Sequence, residues 1–110
     1  MTTVTFHTEE GRIVGFESTG HSGYAEEGED IVCAAITSTI RLVATTVNDV
    51  LGLAASVKIR EEDTFISIRL PGGLSEFAEH TSQTLMTGLM VYFTQLHDEF
   101  PDNIEVMEED

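Results

Sequence analysis

Two short β-prone runs open the chain, Val4 to His7 and Ile13 to Phe16. The polar link Glu9-Glu10-Gly11-Arg12 between them reads as a hairpin turn. From Ile31 onward the period changes. Ile36, Ile40, Val43, Val47 and Val50 recur at spacings of four, three, four and three, which is helical, and Gly52 follows as a C′ residue. The pattern predicts a first helix from Asp30 to Leu51. Between Ile31 and Asn48 its only charge is Arg41, and a single sheet covers only one stripe of such a helix. The uncovered surface implies a central position under other elements or, in so short a chain, a homodimer interface.

Ser56 to Arg60 and Thr64 to Leu70 bracket the charged turn Glu61-Glu62-Asp63, and Ile66, Ile68 and Leu70 alternate with Phe65, Ser67 and Arg69. This is a second hairpin, stopped by Pro71-Gly72-Gly73. Ser75 is placed to cap a second helix from Glu76 to Phe100, whose stripe is Leu85, Leu89, Tyr92, Phe93 and Leu96 and which ends before Pro101. Ile104-Glu105-Val106 adds a short last strand, with Glu108-Glu109-Asp110 as a solvated end. The order β-β-α-β-β-α-β predicts an α+β fold, an antiparallel or mixed sheet covered by two helices on one face. Strand order is not readable at this level.

With 110 residues, 41% of them hydrophobic, the chain is expected to form a single domain over residues 1–110. Twenty acidic residues against five basic ones give a net charge of -15, which argues against direct nucleic-acid or anionic-membrane binding and for a basic partner. Its single cysteine cannot form an internal disulfide, and residues 1–12 hold no apolar signal-like core, so the expected compartment is the cytoplasm. The uncharged stretch Thr81 to Leu96 is too polar for a membrane span.

The chemistry concentrates in one place. Gly20-His21-Ser22-Gly23-Tyr24 runs through Gly28-Glu29-Asp30-Ile31-Val32 into Cys33, so a glycine-rich loop carrying an imidazole precedes a helix carrying the thiol. A lone cysteine near a helix start is commonly an inert buried group. If Asp30 is the N-cap, however, Cys33 falls in the first turn, where free N–H groups favour a thiolate and could cradle an oxyanion. His21 is either its base or a solvated loop side chain. Asp30 either caps the helix or orients the imidazole. Glu26, Glu27 and Glu29 oppose thiolate formation unless solvated or paired, and suit attraction of a basic substrate. The loop Ser22 to Glu29 buries little and is expected to order on peptide binding.

Those residues, Gly20-His21-Ser22-Gly23-Tyr24, Gly28 and Asp30-Ile31-Val32-Cys33-Ala34-Ala35, resemble the ribosomal-processing cysteine protease family. The resemblance implies that Cys33 and His21 are the catalytic pair of a small cytoplasmic bacterial endopeptidase. It also implies the substrate, the N-terminal extension of large-subunit ribosomal protein twenty-seven. Ser22, Ala25 and Thr37 stand where alanine, glycine and serine are common in the family, and none touches the pair.

His7, His80 and His97 have no partners at metal-ligand spacing, so no metal and no cofactor is expected. Met86 and Met90 read as core filler or groove lining. The rival to the protease is a non-catalytic acidic dimeric module that binds basic ribosomal proteins during ribosome assembly.

Overall fold

The computed structural model describes residues 1–20, 27–62 and 64–110, and of residues 27–30 the backbone alone. Its elements are β1 (Thr2–Glu9), β2 (Arg12–Thr19), α1 (Glu27–Thr45) extended by a π-helical turn (Thr46–Val50), β3 (Ser56–Arg60), β4 (Phe65–Arg69), α2 (Glu76–Glu99) and β5 (Ile104–Glu109). The order is the one expected, in an α+β fold.

The five strands form one mixed sheet in the order β3-β4-β2-β1-β5, antiparallel except for the β1–β5 pair. In this arrangement β2 runs parallel to β3, with α1 as the crossover, and β4 runs parallel to β5, with α2 as the crossover. The second crossover reverses both the strand direction and the direction of travel across the sheet. Two right-handed crossovers therefore put both helices on the same face. That face holds the core, where Val4, Phe6, Phe16, Ile68 and Ile104 meet Val32, Ile36, Ile40, Val43 and Val47 of the first helix and Met86, Leu89 and Phe93 of the second. Phe6 stands at the centre, its ring 5.3 Å from that of Phe16 and 6.4 Å from that of Phe93.

Local sequence explains most of the boundaries. Glu10 and Gly11 both have positive φ, 52° and 78°, as the mirror-image turns of two-residue hairpins require. The Ser75 hydroxyl accepts from the Ala78 N–H at 3.1 Å and starts α2 where a cap was expected. Gln83 acts as a side-chain peptide group for β2, accepting from the Ile13 N–H and donating to its carbonyl, each at 2.8 Å. At the end of the first helix, Leu51 N–H reaches back five residues to Thr46, and Gly52 follows at φ 68°.

Three expectations need correction. α1 begins at Glu27 instead of Asp30, so Glu27 to Glu29 belong to a helix and not to the loop. Its α-helical part stops at Thr45, and only the π-helical turn carries it to Val50. β5 is longer than the expected Ile104 to Val106: it continues through Glu108 and Glu109, which are solvated as expected but pair with Phe6 and His7. As expected, Thr81 to Leu96 does not qualify as a membrane span; among the described residues Ile31–Val50 is the one helical segment long and apolar enough to cross a membrane. Here its Val32, Ile36, Ile40, Val43 and Val47 stripe is built into the core.

Candidate active site

Cys33 lies in the second turn of α1, half-buried, on the side of the helix that turns toward the β3–β4 hairpin. The thiol opens into a cleft of about 250 Å³. Ile36 and Thr37 continue the helix wall, Ile59, Phe65 and Ile66 form the opposite one, and Ser18 and Gly20 close the end where β2 leaves the sheet.

The far wall follows from strand register. Val57 pairs with Ile68 and Ile59 with Ile66, so both β3 side chains point to the helix face of the sheet. The helices do not reach this edge strand, and Ile59 is left 66% exposed. An exposed isoleucine facing a thiol across a cleft is a surface for an apolar substrate side chain. At the mouth, the Arg60 guanidinium stacks over the Phe65 ring at 4.0 Å and pins the hairpin tip.

Gly20 fixes the remaining corner. At φ 89°, with the site of a Cβ 2.7 Å from the Met1 carbonyl oxygen, only glycine fits there, and its own carbonyl accepts from the Thr2 hydroxyl at 3.2 Å. Gly20 thus anchors the point from which the chain departs into His21.

His21, Ser22, Ala25 and Glu26 lie outside the described residues, as do the side chains of Glu27, Glu29 and Asp30. The helix start bears on two expectations. With α1 beginning at Glu27, Asp30 falls within the helix and not at its cap. Cys33 accordingly sits in a turn whose amides are committed to the helical ladder, where an open first turn was expected to supply an oxyanion hole.

Two of the other histidines, His97 and His7, have structural partners. His97 Nδ1 lies 2.6 Å from the Ile104 carbonyl oxygen, joining α2 to β5, and His7 lies 3.7 Å from Glu17 and 3.6 Å from Glu109. His80 is exposed. Among the described residues no group of three or more His, Cys, Asp or Glu could hold a metal ion. Met86 is fully buried in the core, while Met90 lines a groove beside β5. Sequence reading missed Ile59, Phe65 and Ile66 as cleft residues. The available signal was the pair Val57 and Ile59 alternating with charged residues on a strand with too little helix to cover it.

A thiol opening into an apolar-walled cleft of an α+β fold is the framework of a small cysteine protease. The chain belongs to the cysteine protease Prp family, whose model it matches over residues 1–105. It is similar to the ribosomal processing cysteine protease Prp of Bacillus subtilis (strain 168), 30% identical over 94 residues that cover 86% of this chain and 84% of that protein. Its fold matches the crystal structure of an essential ribosomal processing protease Prp from S. aureus in complex with a substrate peptide, with a TM-score of 0.84, 17% identity, and coverage of 99% of this chain and 100% of that one. It equally matches SMU.848 from Streptococcus mutans, with a TM-score of 0.84, 25% identity, and coverage of 99% and 96%.

Proposed function

We propose that this protease, a single domain over residues 1–110, removes the N-terminal extension of large-subunit ribosomal protein twenty-seven in the cytoplasm, with Cys33 as nucleophile and His21 as its base. The observation that carries the reading is the cleft itself. Cys33 shares it with Gly20, the residue directly before His21, and with an apolar wall able to hold the side chains of a peptide.

In the proposed reaction His21 takes the Cys33 proton, and the sulfur attacks the scissile carbonyl carbon. The resulting oxyanion collapses, the C–N bond breaks, and the departing amine receives the proton from His21. Water, deprotonated by the same imidazole, then hydrolyses the thioester and restores the thiol. With Cys33 away from an open helix end, the imidazole carries the burden of forming the thiolate. In this reading Asp30 orients that imidazole, the alternative to the capping role that a helix start at Glu27 disfavours. Glu26, Glu27 and Glu29 attract the cationic substrate, and the chain works as a homodimer.

The test is incubation with the basic precursor, followed by mass. The expected result is one defined cut that disappears in Cys33→Ala and is nearly lost in His21→Ala. Either variant cutting at close to the wild-type rate would return the chain to the rival reading, an acidic module that only binds ribosomal proteins.

A further inference from the structure

A second recess lies at the other edge of the sheet. Met90, Val91, Thr94 and His97 of α2 and Glu105 to Glu108 of β5 line a groove of about 530 Å³. Two of its apolar side chains are strongly exposed, Val91 at 49% and Met107 at 43%. Among the described residues β5 pairs with β1 alone, so its outer edge offers a row of unpaired backbone N–H and C=O groups.

Register sorts the side chains along that edge. Val106 pairs with Val4 and Glu108 with Phe6, which places them on the helix face under Met90 and Val91, whereas Glu105 and Met107 point to the open face of the sheet. Glu105 and Glu108 have no ion-pair partner among the described residues. Two copies of β5 pairing edge to edge would set the carboxylates of Glu105, Glu108 and Glu109 against one another, so the edge repels its own kind. The same charges favour a strand that brings cations.

We propose that the α2–β5 groove is a docking site for an extended basic peptide, which adds to the sheet as a sixth strand beside β5. Its backbone pairs with the open edge. Alternate side chains are apolar and enter the groove over Met90, Val91 and Val106, the lysines or arginines between them meet Glu105 on the open face, and Glu108 at the end of the groove adds to the negative field that draws the peptide in. The groove and the Cys33 cleft lie on opposite sides of β1 and β2, so docking here holds a long substrate without occupying the site of cutting. Equating the peptide with the basic body of the ribosomal precursor rests on the function proposed above.

The experiment uses the Cys33→Ala chain and a fluorescein-labelled ten-residue peptide alternating valine and lysine, followed by anisotropy at low salt. Binding is expected, with the affinity falling about tenfold in Glu105→Lys/Glu108→Lys, where the exposed pair at Glu105 and the charge at the end of the groove are both reversed. It should fall also in Val91→Asp and for a peptide N-methylated at alternate amides. Equal binding by that double variant, or by the N-methylated peptide, would overturn the proposal. So would a change in oligomeric mass in the double variant, which would give the edge to a second copy of the chain. Because this assay involves no cleavage, its outcome is independent of whether the precursor is cut. With the active chain, the double variant should raise KM for the precursor and leave the cutting of a short neutral peptide unchanged.

Discussion

At Gly15 the absence of a side chain decides how closely two strands approach. A Cβ there would lie 2.4 Å from the Ile68 carbonyl oxygen and 3.1 Å from the Arg69 Cα, backbone atoms of β4 that cannot rotate away. Gly15→Ala is therefore expected to push β4 from β2 and to cost about 2 kcal/mol, in the range of an overpacked interior. Urea denaturation would show it as a lower midpoint at unchanged slope. An unshifted midpoint would mean that the sheet yields at this point without penalty. β4 also carries Ile66 and Phe65 into the cleft, so the same substitution should raise KM for a peptide substrate. The need for glycine at this position is invisible in sequence, where Val14-Gly15-Phe16 reads simply as strand.

Between elements, the decisive link is Asn48. Its side chain donates to the Ala55 carbonyl at 3.2 Å and accepts from the Ala55 N–H at 2.7 Å, tying the end of the first helix to the start of β3. Asn48→Ala leaves both groups of the buried Ala55 unpaired and should cost about 1–3 kcal/mol. Amide hydrogen exchange should rise first in β3, the strand that forms the far wall of the cleft; uniform acceleration over the whole sheet would mean that β3 has no separate opening. Strands and helices were legible because alternation and the four-three spacing are local signals, and Ser75 and Gly52 carry their own capping chemistry. Strand order was not, because it depends on which edges meet across distant segments such as Thr2 and Ile104. The start of α1 was misplaced because an aspartate before an apolar run is a strong cap signal, while Glu27 to Glu29 have no apolar periodicity to announce a helix. The thiol was legible as a candidate from Cys33 and its neighbours. Its cleft was not, since Ile59 reaches it only through the pairing of β3 with β4.

For the molecule as a whole, two surface properties lead to separate expectations. The first is apolar: Ile31 and Leu42, three turns apart on one face of α1, are 61% and 65% exposed, and we expect a homodimer formed on this uncovered face of the first helix. Light scattering should give twice the chain mass at micromolar concentration, and Leu42→Glu should halve it; a monomer mass for the wild type would remove the dimer and leave the catalytic reading intact. The second is charge. A net charge of -15 sets up a field that draws a cationic protein toward the surface and speeds encounter. It does nothing for a neutral peptide, whose recognition depends on the walls of the cleft. Because the Debye length shrinks from about 30 Å at 0.01 M salt to about 10 Å at 0.1 M, steering is lost over that interval while apolar contacts persist. The ratio kcat/KM for the full basic precursor should therefore fall much more steeply with ionic strength than that for a short neutral peptide spanning the cut. Parallel salt curves for the two substrates would show that the acidic surface contributes solubility and nothing to recognition.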